Sequence, residues 1–498
     1  MPTIEFCRSE QLRCAAEYHD AGARLGLHDW FAEEYLMEQE NKNSYDAFLR
    51  EKHVTAPRSG FKPAKEINHN AFQFQKFIIE RALDCGKFAL FSECGTGKTL
   101  MQLEWADHVV GRTSKDVLIV APLAVAAQTR EEGKKFGIDV TVCRTQDDMR
   151  RGLNVTNYEM LQHFDASGLG GVVLDESSIL KNFTGATKRL AMEMFAATPY
   201  KLACTATPAP NDHLELGNHA QFLDVMPSNQ MISRWFLNDS MKAGGYRLKA
   251  HAERDFWEWV ASWSVCIEKP SDIGFSDDGW VMPALNMHQH IVAVDITKGA
   301  GGNLYRHADL SATGLHREMR ITAPDRAARV AELASCDKAE PWIIWCNTDY
   351  EAEEIKKLMP YIMEVSGRDS PAEKERKLMA FSRGEERMIL TKPKIAAFGL
   401  NWQHCSNMAF VGLSYSYEAI YQAVRRSWRF GQKRDVNAHL VIAETEGPVL
   451  ETIMAKQAKH LEMKAAMVRA MKTIGGYGSA NRPLAYMPTQ KTELPKWL

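Results

Sequence analysis

Three short stretches of this chain place reactive side chains at spacings that can do chemistry. Ser92-Glu93-Cys94-Gly95-Thr96-Gly97-Lys98-Thr99 follows the apolar run 88–91 and precedes residues 100–110, which have helical spacing. A Gly-rich turn between strand and helix aims backbone N–H groups at the helix N-terminus, where the dipole favours an anion. In such a turn Gly95, Thr96 and Gly97 cradle phosphate, Lys98 reaches the terminal phosphates and the Thr99 hydroxyl ligates magnesium. The strict pattern has Gly where this chain has Ser92. Alone, the turn predicts a bound nucleotide and nothing about its use.

The second stretch is Val172-Val173-Leu174-Asp175-Glu176, an apolar strand ending in two carboxylates. Downstream of a phosphate loop, Asp175 is placed to hold magnesium and Glu176 to polarise an attacking water. Thr205-Ala206-Thr207-Pro208 closes another strand, and taken alone it reads as a plain strand exit with Pro as the stop signal. Upstream, the Gln75 amide offers the donor and acceptor needed for an adenine edge, although a surface Gln offers the same pair.

The third stretch is residues 422–432, with Gln422, Arg426 and Arg429. Arg426 and Arg429 are three apart, so on a helix they share a face. Two readings stand: guanidinium groups inserted toward a triphosphate, or a basic face making surface salt bridges.

Elements must position these groups, and the pattern supplies them. From about residue 70, short apolar runs at 117–121, 153–156, 171–174 and 201–205 alternate with helical segments at 124–135 and 187–195. That rhythm predicts a parallel sheet covered on both faces. It breaks over 226–325, where Trp235, Trp257, Trp259 and Trp263 fall in a helical region and predict a core rather than a base-stacking platform. It resumes with strands at 342–346, 388–390, 408–411 and 438–442, and helices at 350–359, 371–381 and 418–426. The expected fold is therefore α/β. An N-terminal helical extension (1–64) precedes a first lobe (65–225), a helical inter-lobe region (226–325), a second lobe (326–445) and a C-terminal helix and tail (446–498). The basic C-terminal helix, with Lys456, Lys459, Lys464, Arg469 and Lys472, reads as a solvated face braced against a lobe.

Composition narrows the setting. The 498 residues suffice for several domains, and 45% hydrophobic with 25% charged is ordinary for a globular protein. A formal net charge of −2 gives no global signature of nucleic-acid binding, while leaving a local basic groove open. The 10 cysteines show no C-x-x-C pair, which predicts reduced thiols and no structural zinc. No apolar run approaches the roughly 18 residues that span a bilayer. The expectation is a soluble cytoplasmic protein with no membrane partner.

The ordered set Phe74-Gln75, 92–99, Asp175-Glu176, Thr205 to Pro208, Gly399-Leu400-Asn401 and 422–432 resembles helicase superfamily two. Ile179 to Asn182, Asn211, Glu215-Leu216 and Arg429 to Gln432 point to its Swi/Snf-like translocase branch, and the compact form looks like the small helicases of phage and bacterial genomes. If the chain is of phage origin, its setting is the host cytoplasm. The resemblance covers roughly residues 65 to 445. It implies two RecA-like lobes with ATP and magnesium between them. Gln75 would read adenine, Lys98 and Thr99 would hold phosphate and metal, and Asp175 and Glu176 would hold the ion and activate water. Arg426, Arg429 and Gln422 would complete the site from the second lobe. Thr205, Thr207, Gly399 and Asn401 would couple nucleotide state to a DNA-binding groove. The implied function is ATP-driven translocation on duplex DNA, with recruiting protein partners; an RNA- or single-strand-directed helicase and a non-translocating nucleic-acid-binding protein are the alternatives. In two places the chain departs from the family. Ser177-Ser178 stand where the family has Ala-His, and Trp402 stands where it has Leu.

Overall fold

In the computed structural model the described residues are 56, 58–122, 125–181, 185–210, 212–239, 245–278, 280, 282–294, 312–336, 339–396 and 401–474. Gly399, Leu400, Asn182, Asn211 and nearly all of the expected N-terminal extension lie outside them.

The first lobe is built on seven parallel strands in the order β3-β4-β2-β5-β6-β1-β9. They are β1 (Lys87–Ser92), β2 (Val117–Ala121), β3 (Val140–Val142), β4 (Leu153–Asn157), β5 (Gly171–Asp175), β6 (Tyr200–Thr205) and β9 (Ser264–Ile267). The central strands read as unbroken apolar runs because helices cover both faces: β2 and β5 are buried throughout. A hairpin of β7 (Phe236–Asp239) and β8 (Gly245–Leu248) stands apart as a two-stranded sheet.

The second lobe carries six parallel strands in the order β10-β15-β14-β11-β13-β12. They are β10 (Leu285–Val292), β11 (Trp342–Cys346), β12 (Met363–Val365), β13 (Met388–Thr391), β14 (Asn407–Val411) and β15 (Val436–Ala443). The helix Gly447–Ile474 follows β15. The architecture is thus α/β with two RecA-like parallel sheets and a C-terminal helix. No described helix is long and apolar enough to cross a membrane.

The stretch 226–325 differs from its expected helical character, because each sheet reaches into it. β9 pairs with β1, Ala89 to Ser264 through Ser92 to Ile267. β10 pairs with β15 along eight residues, and the helix Ala312–Ser335 packs against β14 and β15. The tryptophans of this region are core, as their spacing predicts: Trp235, Trp257, Trp259 and Trp263 are all buried.

Register is what positions the chemistry. Phe91 of β1 pairs with Thr205 of β6, and Cys204 of β6 pairs with Asp175 of β5. The phosphate loop, Thr205 and Asp175 therefore emerge side by side at the C-terminal ends of three adjacent strands, where open α/β sheets bind ligands.

Candidate active site

The loop after β1 is held from within. Thr96 Oγ1 donates to the Glu93 carbonyl at 2.7 Å, so the Ser92 hydroxyl donates to Thr96 Oγ1 in turn. Ser92, at the position where a Gly is usual, thus braces the loop with its side chain. Gly97 sits at φ 84° as the helix Lys98–Thr113 begins, and a Cβ there would lie 2.2 Å from Gln75 Nε2. That amide explains the close approach. Gln75 Nε2 donates to the Thr96 carbonyl at 2.8 Å and Gln75 Oε1 accepts from the Phe72 N–H at 2.9 Å. Each end of the Gln75 amide thus makes one bond to backbone, a role in the loop beyond the adenine edge expected of it.

Facing the loop, Asp175 Oδ1 accepts from Gln102 Nε2 at 2.7 Å, and the Asp175 carbonyl takes the Tyr158 hydroxyl at 2.7 Å. Burial, with the adjacent Glu176 charge, pushes the Asp175 carboxyl up to about 6 against the pull of Lys98. Glu176 adopts φ 55°, a left-handed conformation costly for a residue with Cβ and typical of functional turns. Its Oε1 stands 3.9 Å from Lys98 Nζ. Burial works against the Lys98 ammonium, yet Glu176 and its neighbours hold its pKa above the usual value.

The second lobe closes on these groups. The helix Tyr417–Val424 starts at a Ser416 cap that accepts from the Ala419 N–H. It brings Gln422 Oε1 to 3.9 Å from Cys94 Sγ. Arg426 and Arg429 come to the same side, but in tightened turns beyond the end of this helix rather than on the expected helical face. The turn is fixed by Trp428 N–H to Val424 carbonyl at 3.0 Å and Trp402 N–H to Arg426 carbonyl at 2.9 Å. Arg426 is buried, and burial pushes its guanidinium down to about 10. The Arg429-Phe430 turn lies against the loop, since a Cβ on Gly95 would meet Phe430 N at 2.6 Å.

Three buried polar atoms around this gap make no hydrogen bond within the chain: Lys98 Nζ, whose ion pair with Glu176 is a long one, Glu176 Oε2 and Gln422 Nε2. Two donors and a carboxylate oxygen left unsatisfied in one place are costly unless a ligand meets them. The set suits a triphosphate with its magnesium: phosphate oxygens for Lys98 and Gln422, and a water for Glu176. Thr99 and Asp175 are the side chains able to hold the metal. Among the described residues no group of three or more His, Cys, Asp or Glu could hold a metal ion.

The coupling candidates also meet partners. Thr205 Oγ1 accepts from the Thr207 N–H at 3.1 Å, and Thr207 Oγ1 donates to Glu418 Oε1 at 3.3 Å in the second lobe. Asn401 Nδ2 donates to Gln403 Oε1 at 3.3 Å, and Gln403 Nε2 donates to the Phe430 carbonyl. Where Ser177-Ser178 replace Ala-His, an imidazole arrives from elsewhere: His219 Nε2 is 3.1 Å from Ser177 Oγ.

Residues 325–431 match the helicase conserved C-terminal domain. That match begins within the helix Ala312–Ser335 and runs through β11 to β14 to the Arg426–Phe430 turns. Across most of its length the chain is also similar to Swi/Snf-related proteins. It is 22% identical over 420 residues to the SWI/SNF-related matrix-associated actin-dependent regulator of chromatin subfamily A-like protein 1 of Xenopus tropicalis, covering 76% of this chain and 43% of that protein. The Xenopus laevis protein of the same name is 22% identical over 416 residues, covering 75% of this chain and 42% of its own length. The chain therefore spans less than half the length of these relatives.

Pattern reading missed Glu93, Tyr421, Arg425, Glu418 and Lys464 as parts of the inter-lobe contact. Glu93 alone carried a signal, as a charged side chain inside a turn whose other members are small or phosphate-binding.

Proposed function

We propose that the chain is a nucleic-acid-stimulated ATPase that moves along duplex DNA by opening and closing its two lobes. The observation that carries this reading is the trio of buried atoms from both lobes that make no hydrogen bond, Lys98 Nζ and Glu176 Oε2 against Gln422 Nε2. Lys98 holds the terminal phosphates and the loop N–H groups hold those behind them. Thr99 and Asp175 hold magnesium, which when bound would neutralise phosphate charge and orient the terminal group. Glu176 accepts the proton of the attacking water, its carboxylate already aimed by the left-handed backbone. Arg426 and Arg429 enter from the second lobe toward the charge that develops on the transferred phosphoryl group, and Gln422 orients beside them. Gln75 supports the phosphate loop, and an adenine edge would engage the second N–H and second lone pair of its amide.

Because half of the site comes from each lobe, turnover and lobe closure are one event. Thr205, Thr207, Asn401 and Gly399 relay that closure to a groove that grips the DNA backbone without reading bases, so binding is salt-sensitive and largely sequence-independent. The test is ATP hydrolysis measured alone and with duplex DNA, single-stranded DNA or RNA. Duplex DNA should stimulate most. Stimulation by RNA alone moves the reading to an RNA-directed helicase, and no stimulation by any polymer ends the translocase reading.

A further inference from the structure

One charged side chain in the phosphate loop is explained by neither phosphate nor metal. Glu93 is 4% exposed, and its carboxylate accepts the Cys94 N–H at 2.9 Å and the Tyr421 hydroxyl, pairs with Arg425 at 3.0 Å, and takes Lys464 Nζ at 2.6 Å. Lys464 is itself 5% exposed, and its Nζ also donates to Glu268 Oε1 at 3.0 Å and to the Tyr421 hydroxyl at 3.3 Å. Burial opposes the charge on Glu93, yet Arg425 and Lys464 hold its carboxyl well below the usual range. Burial likewise opposes the Lys464 ammonium, and Glu93 holds it well above. The cluster of Glu93, Glu268, Arg425 and Lys464 is electrically balanced.

These four residues come from three places. Glu93 and Glu268 follow β1 and β9 of the first lobe, and Arg425 ends the Tyr417–Val424 helix of the second. Lys464 comes from the helix Gly447–Ile474, which leaves the second lobe after β15 and packs on the helix Glu253–Trp263 and β9 of the first. Met471 of that helix accepts the Cys266 N–H, 3.1 Å from its sulfur. The basic helix is therefore no simple solvated face: one of its lysines is buried against the phosphate loop.

A buried ion pair is poor evidence of stability by itself, because desolvation offsets the attraction. Its position here gives it another use. The Glu93 N–H bonds the Ile267 carbonyl at 2.9 Å, and its own carbonyl takes both Thr96 Oγ1 and Thr96 N–H. Glu93 is thus the hinge pin of the turn that opens the phosphate loop, and three of the four groups that hold its side chain, Tyr421, Arg425 and Lys464, come from the second lobe and the C-terminal helix. We propose that Lys464 is a positioning residue of the nucleotide site, through which the seating of the C-terminal helix sets the shape of the phosphate loop and hence its affinity for ATP. This rests on the reading of the loop as an ATP site.

The test compares the full chain with Lys464→Met, Lys464→Arg, Glu93→Gln and the Lys464→Met/Glu93→Gln double variant. Each is titrated with a fluorescent ATP analogue in magnesium and then assayed for hydrolysis with duplex DNA; melting temperatures are read in parallel. Lys464→Met should weaken nucleotide binding about tenfold and leave kcat within about threefold, as expected when a ground-state contact is lost. Lys464→Arg should restore binding to within about twofold of the parent, and the double variant should bind no more weakly than the weaker single, as coupled partners do. An unchanged Kd in Lys464→Met, even with a lowered melting temperature, overturns the proposal, as do multiplicative effects in the double variant. If Lys464→Met does not fold, Glu93→Gln decides alone: the same weakening supports the proposal and an unchanged Kd overturns it. Binding is read apart from turnover, so a parent chain that binds ATP without hydrolysing it sinks the ATPase reading while the Kd series still decides Lys464. A parent chain that binds no nucleotide overturns both.

Discussion

Thr207 Oγ1 donates to Glu418 Oε1 at 3.3 Å, from the end of a first-lobe strand to the first turn of a second-lobe helix. The other oxygen of Glu418 pairs with Lys181, five residues after Glu176 of the acidic pair Asp175-Glu176 in the first lobe. Glu418 is buried, so its contact with Thr207 is made in a low-dielectric setting, while Lys181 keeps part of its side chain in solvent. One carboxylate thereby ties the closed state to two first-lobe segments that flank Asp175 and Thr205. Glu418→Ala should leave nucleotide binding near normal while reducing the stimulation of hydrolysis by duplex DNA at least about fivefold, the lower end of ordinary coupling. The ratio of stimulated to basal rates checks this, and an unchanged ratio shows that closure does not run through Glu418.

Arg429 tests whether the second lobe completes the site. Its turn touches the loop at Gly95, where the backbones approach too closely for a Cβ. Arg429→Ala should bind the ATP analogue and lose turnover about a thousandfold, the scale of an arginine supplied to a phosphoryl transition state. Glu176→Gln should give the same split for another reason, with a loss of at least about a hundredfold from the missing general base. Single-turnover hydrolysis beside equilibrium binding separates the two effects. Normal turnover in Arg429→Ala would leave the site complete without the second lobe.

Two buried histidines make stability depend on pH. His219 is fully buried, and burial pulls its imidazole down to about 4. His460, in the C-terminal helix, is pulled to about 3 by burial and by the Lys464 charge. An unfolded imidazole titrates near about 6.5, so the unfolded chain takes up protons that the folded chain refuses. The stabilisation is complete above that value and is lost as pH falls toward the folded values, at about 1.4 kcal/mol per pH unit for each group. Denaturant midpoints across this window should fall with pH, and His219→Gln should make the fall shallower. Parallel curves for the two proteins would show that His219 titrates normally in the fold.

Much of this was visible in the residues, and what was hidden was hidden for physical reasons. β1, β5 and β6 announce themselves because strands buried on both faces are continuous apolar runs, and their closing residues carry the chemistry. β9 does not, because its four residues follow a Trp-rich helix with no turn signal between. β10 does not, because as an edge strand it alternates His288 and His290 with Met287 and Ile291, the last two exposed. The spacing of Arg426 and Arg429 suggests a shared helical face, yet the helix ends at Val424 and both lie in the tight turns beyond it. The Gln75 amide was legible as a donor and acceptor pair, but not its commitment to backbone at Thr96 and Phe72. The Glu93–Lys464 contact joins residues 371 positions apart, a separation no local pattern encodes. Within its own helix Lys464 looks like any other lysine.

The second lobe has a buried charge of its own, and it predicts a large loss of stability. Arg326 is fully buried between Glu351, at 2.9 Å, and Glu446, at 3.6 Å. Its Nη1 also donates to the Val411 carbonyl at 2.8 Å, and its Nη2 to the Met319 carbonyl. Gly412, at φ +86°, is required beside it, since a Cβ there would lie 1.8 Å from Nη1. Removing the guanidinium leaves two buried carboxylates without their counter-ion, and burial already raises the Glu446 pKa. Arg326→Met keeps most of the volume and should still cost about 3–5 kcal/mol, because the penalty is the stranded charge rather than a cavity. Neutralising both acids in the same chain, with Glu351→Gln and Glu446→Gln, should recover a large part of that loss. Denaturant unfolding of the single and triple variants distinguishes the causes: a triple variant as unstable as Arg326→Met would mean that lost hydrogen bonds to Val411 and Met319, not unpaired charge, dominate.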